Sequence, residues 1–468
     1  MTAETLETRT RLPNPAEIHP LLKGRLGRAF LRPPFDWLAV RAVARVYLRL
    51  SRGWATALDC GEDLDGFLAQ SELTRPTPAL QRAIAAAQAR RARYDEAQAL
   101  WQQALFPEAG AEPLGEADLA LREHARQAAA HDMMAARMGF LPYRGRLLPV
   151  AWEVADEAEV ARRHGARLAD LERAFPAPDD IPVERSRAAP GRFGPEYWLR
   201  FPSPVLGDRA WAHVYELDAA RGGEVRRDAP SVVFLHGIAM ETEMWRGTTG
   251  VVPALAERGF RTIVAEGPWH GRRRLAGRYG GEPVLGRGPL GLIDLLEAWV
   301  AEVAVLIRWA RRTSTGPVVL AGVSLGALTS QRAASASTRW PETLRPDALM
   351  LVATSGRLID LAGTGSLARQ TGLDQEIRKA GWRAADLERW LPLMEPEPEP
   401  PLAPERILMV LGARDDLTPF RGGQALADAW RLPERNLFLR HQGHFSVSLG
   451  VLSEPAPLDR LQALVGGL

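Results

Sequence analysis

Cysteine and lysine are nearly missing from this 468-residue chain. Cys60 is the sole cysteine. It excludes an internal disulfide and a cysteine-built metal site, and fits a reducing compartment. Lysine stands only at Lys23 and Lys379, so the basic side is almost wholly arginine. The formal net charge of +2 exerts no strong pull on nucleic acid, and no nucleic-acid partner is expected. No run of about 18 uncharged apolar residues occurs, so no membrane span is expected. The first thirty residues are charged and dotted with proline, without a basic start and apolar stretch. A secretory signal is therefore not expected, and the cytoplasm is the default location. His124 and His131 share a helix face with no other ligand types near them. Neither a metal nor a cofactor is expected.

What is present divides in two. Residues 1–190 read as a mostly helical region. Leu80–Phe106, Gly115–Met138 and Glu157–Phe175 are rich in good helix formers with apolar residues at helical spacing. From about 191 to 468 the pattern becomes strands alternating with helices. Tyr197–Phe201 and Trp211–Leu217 alternate like antiparallel partners. Short apolar runs then begin at Val232, Thr262, Val318, Ala348, Ile407 and Leu437, most of them followed by helical stretches. That order implies an α/β architecture: a mostly parallel central sheet with helices on both faces. A chain this long exceeds one core of roughly 250–300 residues, which favours a catalytic domain with an appended region. The interval 361–404 separates two strands and ends in Glu395–Pro401, where Glu and Pro alternate. Proline there forbids a helix and favours an extended tether. The interval reads either as a small lid over a site or as a surface insertion.

The chemistry is carried by Gly322-Val323-Ser324-Leu325-Gly326, which follows an apolar run and opens a helical stretch. A strand–turn–helix with glycine on both sides of a serine lifts the hydroxyl above the sheet edge. Ser324 is the expected nucleophile. His236-Gly237-Ile238 follows the strand at Val232–Leu235, where an oxyanion loop belongs. The backbone N–H groups of Ile238 and Leu325 are the expected oxyanion donors. His236 itself precedes the nucleophile and is expected to shape the loop. Downstream only His441 and His444 remain. His444, just after a strand and preceded by Gly443, is the expected base. Asp415 stands four before Pro419 and is the expected acid. Its neighbour Asp416 is expected to cap the helix beginning near Phe420.

These ordered motifs resemble the α/β-hydrolase superfamily from about residue 196 to the end. The likeness implies that fold and a Ser–Asp–His row, and leaves the substrate open. A narrower likeness is to the α/β-hydrolase-domain-containing 18 branch. It runs through Glu266–Arg274, the His-Gly loop ending at Trp245, and the Asp415 and His444 segments. It implies a lipid acyl hydrolase.

Two basic features remain. Arg272, Arg273 and Arg274 sit on a loop expected at the ligand edge of the sheet, and with Trp245 they are expected to touch substrate, the arginines at an anionic part. The alternative is a solvated basic loop. Trp37–Leu50 carries Arg41, Arg45 and Arg49 on one stripe and apolar residues elsewhere. It can lie on an anionic membrane as a peripheral contact, or pack on a domain with its arginines in water; the second is favoured. The sequence thus predicts a serine hydrolase of a small-molecule or lipid ester. The alternatives are an acyltransferase with the same three residues, and a pseudoenzyme scaffold whose helical region binds a partner.

Overall fold

The structure is a computed structural model and describes residues 33–468, apart from 62, 109, 111–113, 219–224 and 241–250. Its centre is one sheet. In chain order the strands are β1 (Glu184–Arg185), β2 (Ala189–Pro190), β3 (Pro195–Pro202), β4 (Arg209–Tyr215) and β5 (Ser231–Leu235). They continue with β6 (Arg261–Glu266), β7 (Val318–Val323), β8 (Ala348–Val352), β9 (Ile407–Gly412) and β10 (Leu437–Arg440). The spatial order is β1-β3-β4-β6-β5-β7-β8-β9-β10, with β2 paired to β3. From β6 to β10 every pairing is parallel, whereas β1 to β4 are antiparallel additions at one edge. The expected α/β fold is the observed one.

The parallel strands are short runs of Val, Ile, Leu and Ala buried along their length, as strands covered on both faces require. The helices Pro289–Thr313 and Leu325–Ser337 supply much of that cover. At the antiparallel edge the outer face is also dry. Trp198 of β3 and Trp211 of β4 pack around Trp101 of the helix Pro78–Leu105, with ring centroids 5.5 and 6.2 Å from Trp101. The N-terminal helices therefore close a face that would otherwise meet water.

That region packs into the same core as the sheet. Leu48, Trp54, Phe140 and Val160 belong to one buried cluster with Val233, Leu320 and Leu351. The change of pattern near residue 190 marks a change of secondary structure, with apolar packing continuous across it. The stretch expected to be amphipathic is a helix from Pro33 to Asp59, interrupted by a π-helical turn at Val43–Tyr47. Val40, Ala44 and Leu48 are buried; Trp37 and Leu38 are exposed, with Arg41 stacked 3.6 Å over the Trp37 ring. Among the described residues no helix is long and apolar enough to cross a membrane.

Between β8 and β9 the chain forms four short helices: Leu358–Gly363, Ser366–Thr371, Leu373–Lys379 and Ala384–Trp390. The Glu-Pro stretch after them is not helical and is fastened to the body. Glu395 accepts from the Leu358 N–H at 2.6 Å, and Glu397 pairs with Arg339 at 2.6 Å. The excursion is closed at both ends like a belt.

Candidate active site

β5 lies between β6 and β7, so the chain leaves it in one direction and later returns on its other side. Ligands in open α/β sheets bind at the carboxyl ends of strands at such a reversal. Backbone strain gathers there. Ala239, Trp269, Ser324 and Ala353 follow β5, β6, β7 and β8, and all four hold positive φ without being glycine. Such residues cost on the order of 1–3 kcal/mol each and persist only where their surroundings enforce them.

Ser324 sits between the end of β7 and the first residue of its helix, at φ 56° and ψ −122°. The flanking glycines are obligatory. A Cβ on Gly322 would stand 2.3 Å from the Gly326 backbone, and one on Gly326 would stand 2.2 Å from the Leu235 carbonyl oxygen.

The hydroxyl meets His444, Oγ to Nε2, at 2.9 Å. The other ring nitrogen, Nδ1, is 2.8 Å from Asp415 Oδ2. A turn holds that carboxylate: Oδ1 accepts from the Leu417 and Thr418 N–H groups, each at 3.0 Å, and Oδ2 accepts from Thr418 Oγ1 at 2.8 Å. An ionised Asp415 needs the Nδ1 proton, which leaves Nε2 as acceptor for the serine. Burial works to lower the pKa of His444. The Asp415 carboxylate, with Asp36 and Asp416 acting at longer range, more than offsets it, and the pKa is raised above its ordinary value. Asp416 turns away and accepts from Ser366 Oγ at 2.8 Å. It does not cap the next helix as expected, since that helix starts at Phe420 after Pro419 with no side-chain cap. His441 is exposed. Thr418 was not singled out from sequence; a threonine in a turn carries no mark of what it will touch.

Ile238 and Leu325 both line the pocket at Ser324. Leu325 opens its helix, so its N–H is one of the donors with no intrahelical acceptor. His236 braces the loop before Ile238. Burial pushes its pKa down to about 4, so the ring is neutral. Nδ1 donates to the Gly237 carbonyl at 2.8 Å, and Nε2 accepts from the Gly267 N–H at 3.1 Å. Trp245 lies outside the described residues.

The pocket holds about 990 Å³ counted out to its open mouth. Among the described residues its lining is aliphatic except for Ser324 and Thr418, and no charged side chain lines it. Leu285, Pro289, Leu292 and Leu328 line it, together with Leu358, Leu361, Leu373, Ile377 and Leu391 from the segment between β8 and β9.

The arginine expectation is corrected, because none of Arg272, Arg273 and Arg274 lines this pocket. Arg273 is buried between Glu302 (2.7 Å) and Asp208 (2.8 Å). Arg272 pairs with Glu266 at 2.6 Å and lies 4.2 Å over the Trp198 ring. Arg274 binds Asp59 of the N-terminal helix at 2.8 Å. Their partners come from distant stretches of sequence, so the loop looked free when read by itself. A further group missed from sequence is His164, Asp294 and Glu297, whose ligand atoms lie within 4.8 Å of one another. Arg163 and Arg167 pair with the same two carboxylates, so the group reads as an ion network that ties two helices together.

No curated protein sequence matches this chain. Among solved structures it is similar to acetyl xylan esterase 1 from Thermoanaerobacterium sp. JW/SL YS485, at 17% identity over 65% of this chain and 96% of that one, TM-score 0.42. It is also similar to an S-formylglutathione hydrolase from Agrobacterium tumefaciens, at 15% identity over 62% and 100%, TM-score 0.39. A cold-adapted esterase from an Arctic intertidal metagenomic library is similar at 16% identity over 60% and 97%, TM-score 0.38. The sequence match is to a family model: residues 232–460 match that of the alpha/beta hydrolase family.

Proposed function

We propose that this protein is a serine hydrolase that cleaves carboxylic esters of apolar acyl chains through an acyl-enzyme on Ser324. The aliphatic pocket against the Ser324 hydroxyl carries this reading. His444 Nε2 takes the serine proton as Oγ attacks the acyl carbonyl. The N–H groups of Ile238 and Leu325 receive the charge that develops on the carbonyl oxygen. The protonated His444 then gives its proton to the departing alcohol, and afterwards activates water to free the acid. Asp415 holds the tautomer and stabilises the imidazolium.

Each methylene buried in the pocket contributes about 0.8 kcal/mol, or about fourfold in binding. A series of p-nitrophenyl esters from acetate to dodecanoate tests the proposal. We expect kcat/KM to climb with each carbon until the pocket fills, and Ser324→Ala to abolish the reaction. A profile that falls with chain length, or activity retained in Ser324→Ala, contradicts it.

A further inference from the structure

The helix that carries His444 spans His444–Ser453, and its N-cap residue is Gly443. Glycine has no side chain to satisfy the first-turn N–H groups, which normally find an acceptor on the cap. The acceptor comes from the other end of the chain. Asp36, in the helix Pro33–Ala42, accepts from the Gly443 N–H through Oδ2 at 3.1 Å and from the Ser446 N–H through Oδ1 at 2.8 Å. One carboxylate thus makes both bonds that a capping box divides between two side chains. Asp36 is buried, and a Cβ on Gly443 would stand 2.5 Å from its Cγ. The glycine leaves room for the aspartate.

Eleven residues further along the same helix, Tyr47 reaches the other side of the site. Its hydroxyl donates to the Ala239 carbonyl at 3.0 Å, directly after the Ile238 donor, and Ala239 holds φ 58°. Tyr47 closes the π-helical turn Val43–Tyr47. Such turns are rare and recur at functional sites. Arg137 Nη1 donates to the Tyr47 hydroxyl at 3.3 Å, which leaves the tyrosine proton for Ala239.

We infer that Asp36 and Tyr47 are positioning residues for the hydrolysis proposed above: the N-terminal helix clamps the base loop with one and the oxyanion loop with the other. The helical region is then part of the active enzyme, and its loss disables chemistry at a site it does not line. This inference rests on the proposed roles of Ser324 and His444. The two grips have separable signatures. Asp415, Asp36 and Asp416 are the charges that act most strongly on His444, and each raises its pKa. Removing the Asp36 charge lowers the histidine pKa, so the base stays neutral to lower pH. Removing the Tyr47 hydroxyl leaves that charge in place.

The test compares wild type with Asp36→Asn, Asp36→Ala and Tyr47→Phe in the full chain. It reads the rate of fluorophosphonate labelling at Ser324 against pH, the kcat and KM for a p-nitrophenyl ester, and thermal unfolding. Asp36→Ala should cut kcat on the order of 10²-fold, the scale of a small misplacement of a reacting group, and Asp36→Asn about tenfold. Both should shift the acid limb of labelling to lower pH. Tyr47→Phe should lower kcat about tenfold, with KM and the acid limb unmoved. A purely structural role would lower the melting temperature without moving the limb. Labelling of the Asn variant at the wild-type rate with an unmoved limb overturns the inference alone. A wild type that does not label at Ser324 overturns the proposed hydrolysis and this inference with it. Should the Asp36 variants fail to fold, Tyr47→Phe decides: wild-type kcat there refutes the clamp.

Discussion

Asp415 Oδ2 lies 2.8 Å from His444 Nδ1, while the carboxylate of the adjacent Asp416 faces Ser366. One residue of register decides which acid serves the base. Asp415→Asn should therefore lower kcat by about 10⁴-fold, the scale of losing the orienting charge in a Ser–His–Asp row. Asp416→Asn should lose only a bond between two loops, with kcat within about tenfold of wild type. Steady-state kinetics on both variants checks this, and equal losses would remove the distinction.

The acid limb of kcat/KM should lie above the ordinary histidine value of 6.5, because the pKa of His444 is raised. The sign follows from the role: only the neutral ring accepts the serine proton, so activity is lost as pH falls through the raised pKa. In Asp415→Asn the limb should move to lower pH along with the fall in rate. A pH–rate profile of both proteins measures it.

Arg273→Met should damage the fold and spare substrate binding. It strips the cation from the buried Glu302, which also accepts from Ser203 Oγ at 2.6 Å. Breaking one side of a buried pair costs roughly 3–5 kcal/mol. Denaturant unfolding should show that loss, and KM for a neutral ester should stay within about twofold of wild type, as expected when no substrate contact is removed.

Leu328→Trp places a large ring in the aliphatic pocket. It should shorten the preferred acyl chain, lowering kcat/KM for decanoate far more than for acetate. Each carbon excluded should cost about fourfold. A uniform loss across the ester series would instead mean general damage to the site.

Much of this arrangement was legible before any coordinates. The strands of the parallel sheet read as apolar runs because both faces are covered, and the serine elbow was visible because its tight turn admits only glycine at 322 and 326. His444 followed from chain order. What stayed hidden depends on contacts between distant segments. The Arg272–Arg274 loop looked like a ligand surface, yet its partners Asp59, Asp208, Glu266 and Glu302 span some two hundred and forty residues. The alternation of Tyr197–Phe201 and Trp211–Leu217 marked paired strands but did not reveal that Trp101 covers Trp198 and Trp211. Asp36 gives no local sign at all. It sits in a helix start like any other acid, and its meaning comes from Gly443, 407 residues away.

The central claim is that Ser324 is the nucleophile. It is tested most directly by reacting the protein with a fluorophosphonate probe and mapping the adduct by peptide mass spectrometry. The account predicts a single phosphonylated peptide modified at Ser324, lost in Ser324→Ala while the protein still melts cooperatively. An adduct on another residue, or labelling that persists in Ser324→Ala, would contradict it.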